Sequence, residues 1–507
     1  MNIIELIHHY AVFMPTQAAI VSDEGTLTYR ELELYSDSLS HEITTHYGTD
    51  STPIVVYGHK HPFMFVCFLA CVKAGRAYCP IDITVPSTRV KGIIDMVNPP
   101  VILAVSPLLN VTAIPVWDLV CLTQTATALH APCSPKLQVS GSDAFYIIFT
   151  SGSTGNPKGV TISCDCLNHF LDWAVDLGIP RSEKMGAHVM NQAPFSFDLS
   201  VMDLYTSLAC GGTLFTLSKE MQSDYRRMFS IMERSHAKVW VSTPSFADIC
   251  LADKCFDSLL LPELSLFLFC GETLTNRTAL ALLDRFPKAV ILNTYGPTES
   301  TVAMTQVAIT KELAQNCSPL PVGSVKPGSY VLIQDKSGHT LSDGEIGEII
   351  ILGDTVSTGY FHQEELTKQA FFTCVHESHS LRGYHTGDAG YLKNGLLYYC
   401  GRIDLQVKLH GYRIEIEDIE QNLLKVPGIK NAVVTPNIQE HKVKSLTAHI
   451  VYEEPVLDRF QITHSLKEQL RCYLPDYMIP KKFQFWDHLP LTANGKADRK
   501  KLGANLS

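Results

Sequence analysis

The strongest constraint on this chain is an alternation. Over its first two thirds, short apolar runs suited to strands take turns with segments whose apolar residues recur at helical spacing. "TPIVVYG" (52–58) precedes "HPFMFVCFLACVKAG" and is followed by "AYCPID"; "NRTALALLDRF" precedes "AVILNTYG" (289–296). Such alternation predicts parallel sheets flanked by helices. A chain of 507 residues also exceeds what one core accommodates, so two or more domains are expected.

From about Val322 the texture changes to Gly-punctuated strands, "GEIGEIIILG" and "GYLKNGLLYYCGR", where Asn394-Gly395 reads as a two-residue hairpin turn. An antiparallel β subdomain is therefore expected over about 322–403. After "GRIDLQVKLHGYRIE" come an acidic helical stretch (Glu417 to Leu424), the strand-like "NAVVTPN" and "KSLTAHIVYEE", and the helical "SLKEQLRCYL". These suffice for a small α+β domain over 404–507, with its boundary near Asp404. The expected fold class is α/β plus α+β: a large N-terminal domain (1–403) and a small C-terminal one.

Composition narrows the function. Hydrophobic content of 46% with 18% charged residues suits a globular enzyme, and a net charge of -10 argues against non-specific nucleic-acid binding. The N-terminus "MNIIELIHHYAVF" lacks the cationic start and unbroken apolar core of a signal peptide. The run "FMFVCFLACV" is far short of the ~20 residues that span a bilayer, so no membrane insertion is expected. The 15 cysteines lie scattered in apolar segments without a repeated CxxC pair, which predicts reduced, buried thiols and a cytoplasmic setting.

"FYIIFTSGSTGNPKGV" (145–160) breaks from an apolar strand into Thr150, Ser151, Gly152, Ser153, Thr154 and Gly155, and reaches Lys158. It is not a Walker A loop, which requires Gly-Lys-Ser/Thr. On the pattern alone it reads either as a surface turn or as an anion cradle, in which glycines let backbone N–H groups approach phosphate oxygens. Other stretches bear on that choice. "NTYGPTEST" (293–301) offers an aromatic ring for a base, and a hydroxyl and carboxylate for a hard cation. "YHTGDAG" (384–390) offers Asp388, whose carboxylate suits both hydroxyls of a ribose; "PLTANGKADRK" (490–500) ends the series.

In this order and over essentially the whole length, these stretches resemble the adenylate-forming superfamily of amino-acid adenylation domains, acyl-CoA synthetases and luciferases. The resemblance implies a large domain of packed sheets and helices, a small mobile lid domain, and an active site between them that uses ATP and Mg²⁺. Thr150 to Gly155 and Lys158 would meet the phosphates. Asn293, Thr294, Tyr295, Gly296, Pro297 and Thr298 would surround the adenine and α-phosphate, and Glu299 would help hold Mg²⁺. Asp388 would take the ribose, with Tyr399, Cys400, Gly401 and Arg402 beside the nucleotide. Lys496 corresponds to the catalytic lysine, where an ammonium offsets the charge gathered as a carboxylate attacks phosphorus. Asp404 corresponds to the hinge. Relatives often carry arginine before "TGD", where this chain has His385, so any salt bridge made by that arginine is in question.

The same resemblance addresses the acid activated. Asp198, in "NQAPFSFDLSVMDLY", sits in an apolar stretch where a carboxylate calls for a cationic partner; in amino-acid adenylation domains that partner is the substrate ammonium. Cys270 stands where relatives commonly have Gly, which adds a side chain beside the substrate. With "VSTPSF" and "FCGE", the wording resembles the branch that activates D-alanine and loads it on the phosphopantetheine thiol of a small acidic carrier protein for teichoic-acid D-alanylation. Asp198, Cys270, Val302 and Lys496 would be its D-alanine contacts. L-Alanine, glycine, or an acyl-CoA synthetase activity are the alternatives. The chain ends soon after the catalytic loop, so the carrier is expected to be a separate protein. Arg471, Lys481, Lys482, Arg499, Lys500 and Lys501 offer a basic patch for docking it.

Overall fold

An α-helix without a polar face has to be covered on every side. Phe63–Lys73 is such a helix, buried from Met64 to Lys73, and it packs within the main core of the large lobe. A computed structural model of the chain describes residues 1–108, 111–152, 157–453, 458–490 and 497–504, apart from the side chains of 500 and 504. Among the described residues no helix is long and apolar enough to cross a membrane.

The large lobe holds two extended sheets. A seven-stranded sheet runs in the order Gly359–Tyr360, Lys158–Ser163, Ala144–Thr150, Tyr78–Ile81, Ile54–Tyr57, Ile102–Ala104, Val116–Asp118. A nine-stranded sheet includes, side by side, the parallel strands Val290–Tyr295, Leu266–Phe269, Val239–Ser242, His188–Asn191 and Thr213–Thr216. The helix Leu199–Ala209, buried along its whole length, belongs to the core that both sheets share; Tyr205 on it meets Tyr78 of the other sheet, hydroxyl to hydroxyl, at 2.7 Å. Asp198 stands at the start of this helix, so the central packing of the lobe fixes its position.

Two local expectations are corrected. The sheets are mixed rather than parallel: Ala144–Thr150 and Lys158–Ser163 pair antiparallel, so the Ser/Gly stretch joins the arms of a hairpin. Ser324–Val325 is an edge strand of the nine-stranded sheet, and the antiparallel sheet starts only at Ser329. That sheet is built from Ser329–Gln334, Gly347–Gly353, His379–Lys393 and Phe371–His376, with Leu396–Arg402 paired to the long strand. Its Asn394-Gly395 turn has φ of 53° and 75°, as a two-residue hairpin with right-handed twist requires. All the cysteines are free; most are buried or half-buried, but Cys255, Cys400 and Cys472 are exposed.

From Leu405 onward the chain builds a separate core around Ile414, Ile419, Leu423, Val434, Leu446 and Met478. This small lobe comprises a hairpin (Gln406–Leu409 with Tyr412–Glu415), the helices Ile416–Leu423 and Arg459–Leu470, and a sheet of Ile429–Gln439, Lys442–Tyr452 and Lys482–Phe485.

Phe65 is 1% exposed and meets Phe195, three residues before Asp198, edge to face at 4.8 Å. Phe65→Ala is expected to cost ~3–5 kcal/mol, read as a lowered midpoint of urea unfolding.

Candidate active site

Parallel strands deliver the site. Ligand crevices in such sheets open at the carboxyl ends of the strands. Here Leu266–Phe269 runs into Cys270-Gly271-Glu272, and Val290–Tyr295 runs into Gly296, Pro297 and Thr298. Cys270, Val302, Thr298 and Asp198 line one small cavity of about 30 Å³, together with Asp388, Arg402, Lys408 and Arg413. The Cys270 thiol points at the Val302 carbonyl, 3.6 Å away. Thr301 and Val302 hold left-handed φ of 59° and 68°, which is strained for β-branched residues; the bond from Thr301 Oγ1 to the Thr355 carbonyl at 2.7 Å anchors that turn.

The two acids beside this cavity are tuned in opposite directions. Burial pushes the Asp198 carboxyl up to about 6, against a hydrogen bond from Thr298 and the charge of Lys408. Glu299 is fully buried, yet Arg413 and then Lys158 overcome the effect of burial and hold its carboxyl down at about 2. Arg413 Nη1 lies 2.6 Å from Glu299 Oε2, and the Tyr360 hydroxyl donates to Oε1 at 2.9 Å.

The small-lobe hairpin enters this cleft. Lys408 and Arg413 are direct cross-strand neighbours on it. Like charges in that position repel; here Arg413 pairs with Glu299, and Lys408 lies over the Tyr295 ring at 5.6 Å with its charge felt by Asp198. The Ser151 hydroxyl donates to the Arg413 carbonyl at 2.8 Å and accepts from the Glu415 N–H at 3.1 Å; Lys158 pairs with Glu415 at 3.3 Å. Thr150 and Ser151 line a second cavity, which shares Phe197, Thr298 and Arg413 as walls with the cavity of Asp198. The 145–160 segment and Asp198 thus lie on neighbouring parts of one cleft. Gly152 is buried; Ser153, Thr154, Gly155 and Lys496 lie outside the described residues.

A larger cavity of about 420 Å³ lies between the lobes, bounded by Asn293, Thr294, Tyr295, Tyr399, Gly401 and Arg402. Its size suits a nucleotide-sized ligand. The Asn293 and Thr294 side chains are bonded to the carbonyls of Pro321 and Phe269, each at 2.8 Å, so they shape the wall. Asp388 accepts from the Tyr295 hydroxyl on one oxygen and from Arg402 at 2.9 Å on the other. Cys400 is exposed and stands apart from the cavity lining. His385 faces Glu348 at 3.7 Å. Asp404 pairs with Arg402 and accepts from the Gln406 N–H at 3.0 Å, which pins the bend between the lobes.

Sequence reading missed Lys408, Arg413 and Tyr360. Two cations flanking the turn of "VKLHGYRIE" were a visible signal, but their targets lie on another lobe. Of the expected basic patch, Lys481, Lys482, Arg471 and Lys501 are exposed, Arg471 being paired with Glu468 and Asp476 and Lys501 with Asp498 at 3.8 Å; Arg499 is paired with Glu420, and the side chain of Lys500 lies outside the described residues.

Family comparison agrees with this arrangement. The model of the AMP-binding enzyme family matches residues 8–361, and that of the AMP-binding enzyme C-terminal domain matches 418–496. The chain belongs to the AMP-binding enzyme family. It is 46% identical to a D-alanine–D-alanyl carrier protein ligase of Bacillus licheniformis and 44% identical to one of Bacillus anthracis, over 99% of each chain in both cases. Its fold is similar to that of a nonribosomal peptide synthetase protein containing adenylation and PCP domains (TM-score 0.83, 24% identity, covering 100% of this chain and 84% of that one). It is likewise similar to an adenylation domain of Vibrio cholerae in complex with glycyl-adenosine-5'-phosphate (TM-score 0.80, 21% identity, covering 100% and 97%).

Because the folded Asp198 carboxyl titrates above the ordinary 3.8, charging it opposes folding, fully above about pH 6 and not at all below about 3.8. Asp198→Asn is therefore expected to raise the melting temperature at pH 8, by a free energy on the order of 3 kcal/mol, and to lose that gain at pH 4. Thermal melts at the two pH values measure it.

Proposed function

We propose that the chain activates D-alanine with ATP and passes it to the phosphopantetheine thiol of a separate carrier protein. Whole-length similarity to two ligases of that name carries the reading, and the Asp198 site supports it. A buried carboxylate lining a small cavity suits an ammonium, and Cys270 with the Val302 carbonyl leaves room only for a small side chain.

In the first step a D-alanine carboxylate oxygen attacks the α-phosphorus of ATP, and pyrophosphate leaves. Two anions have to meet, so positioning and charge neutralisation supply most of the acceleration. Asp198 anchors the amine, Asp388 the ribose hydroxyls, and Tyr295 with Tyr399 flank the adenine. Ser151, with Ser153, Thr154, Gly155 and Lys158, meets the phosphates, and Lys496 offsets the charge that gathers on phosphorus. Glu299, with the Thr298 hydroxyl nearby, offers the hard oxygen ligands Mg²⁺ prefers; when bound, that ion neutralises phosphate charge. In the second step the thiolate attacks the acyl carbon, and AMP leaves.

The observed lobe arrangement suits the second step. Arg413 and Glu415 engage Glu299, Lys158 and Ser151, the groups assigned to Mg²⁺ and the phosphates. A triphosphate would compete with the hairpin for them, so the hairpin withdraws for adenylation and returns once pyrophosphate has gone. Asp404, between hairpin and antiparallel sheet, is the hinge of that movement.

ATP–pyrophosphate exchange tests the assignment, with D-alanine expected to exceed L-alanine, glycine and a short fatty acid. Equal rates for all four refute it. Lys496→Ala is expected to lower exchange at least ~100-fold. Cys270→Ala should narrow the preference for D- over L-alanine, which for a methyl-sized difference is worth ~10–200-fold; an undiminished ratio removes Cys270 from the specificity wall.

A further inference from the structure

Beyond the hairpin, the small lobe touches the large one through a second buried charge. The strands Ile429–Gln439 and Lys442–Tyr452 are joined by a two-residue turn, Glu440 and His441, with φ of 50° and 61°. That tight turn places Lys442 at the tip of the longest hairpin of the small lobe. Its ammonium group is 3.0 Å from Asp248 Oδ2 and 3.7 Å from Glu272 Oε2, and the side chain is 3% exposed.

Both acceptors belong to the large lobe and are held from behind. Asp248 accepts the Thr278 hydroxyl at 2.6 Å, and Glu272 Oε2 accepts the Ser245 N–H at 3.0 Å. Glu272 Oε1 is buried and has no hydrogen-bond partner among the described residues. A carboxylate so placed needs a cation nearby, because a buried ion left unpaired costs far more than a pair. Glu272 ends the segment whose Cys270 lines the cavity of Asp198, and Gly271 packs toward the Gly411 backbone of the lid hairpin.

We propose that Lys442 is a positioning residue: it latches the small lobe in the observed arrangement and steadies the Cys270–Glu272 segment there, so that transfer to the thiol depends on it while adenylation does not. The inference rests on the two-step reading above. When the small lobe turns away, the lysine leaves with it, so its contribution exists only in the arrangement where the hairpin fills the cleft. In the observed arrangement Lys442 also borders the larger cavity between the lobes, and it leaves that border when the small lobe turns away for adenylation.

Two variants and two measurements test this. With pantetheine as the thiol acceptor, Lys442→Met is expected to lower the rate constant of thioester formation by at least ~10-fold, while D-alanine-dependent ATP–pyrophosphate exchange stays within about twofold of the parent. Lys442→Arg, which keeps the charge, should recover most of the loss. Equal loss in both steps, or unimpaired thioester formation, overturns the proposal. Small-angle X-ray scattering without any substrate reads the latch directly: Lys442→Met should give a larger radius of gyration than the parent, and identical radii overturn it. If the parent itself shows no exchange with D-alanine, the assigned reaction fails, and scattering alone decides the latch.

Discussion

The contact between the two lobes centres on a buried ion pair at the cleft. Glu299, on the large lobe, is fully buried in this arrangement, and its contact cation, Arg413, is carried by the small one. Removing either partner strands a charge in a medium that solvates it poorly. The pair also explains a hairpin that would be poor in isolation. Lys408 and Arg413 stand opposite each other, and the groups across the cleft offset their repulsion: Glu299 for Arg413, and the Asp198 charge with the rings of Tyr295 and Tyr399 for Lys408. Ion pairs join the lobes beside one stacked ring pair, Phe197 on Tyr412 at 5.7 Å.

Asp198 and Glu299 show how neighbouring carboxylates acquire different characters. Both are buried, so both are pushed up by loss of water. Glu299 has a guanidinium at contact distance, whereas Asp198 has a hydroxyl and the more distant charges of Lys408 and Arg413. One carboxylate is therefore paired by the protein itself, and the other has no cation at contact distance among the described residues. An acid left in that state by its own protein is well suited to receive an ammonium.

Much of the fold was legible because local pattern and final structure agree. The strand Ile54–Tyr57 with the helix Phe63–Lys73, the Asn394-Gly395 turn and the helix Ile416–Leu423 all follow from periodicity and turn chemistry. What failed to show was pairing at a distance. Apolar runs do not reveal strand direction, so the hairpin of Ala144–Thr150 with Lys158–Ser163 read as a strand leaving a parallel sheet. Ser324–Val325 is too short to announce which sheet it joins. Asp198, Cys270 and Asp388 stood out by chemistry, and they do share one cavity. Arg413 and Lys408 did not, since a charge in a hairpin looks like a solvated face until another lobe covers it.

The left-handed turn at Thr301 and Val302 has a consequence for redesign. It makes one boundary of the small cavity out of a main-chain carbonyl rather than a side chain. No amino-acid exchange at Val302 can retract that oxygen while the turn persists. Enlarging the cavity toward bulkier acids falls instead to the side chains around it, and at Cys270, whose thiol meets that carbonyl, variation exhausts quickly because only glycine, alanine and serine are smaller.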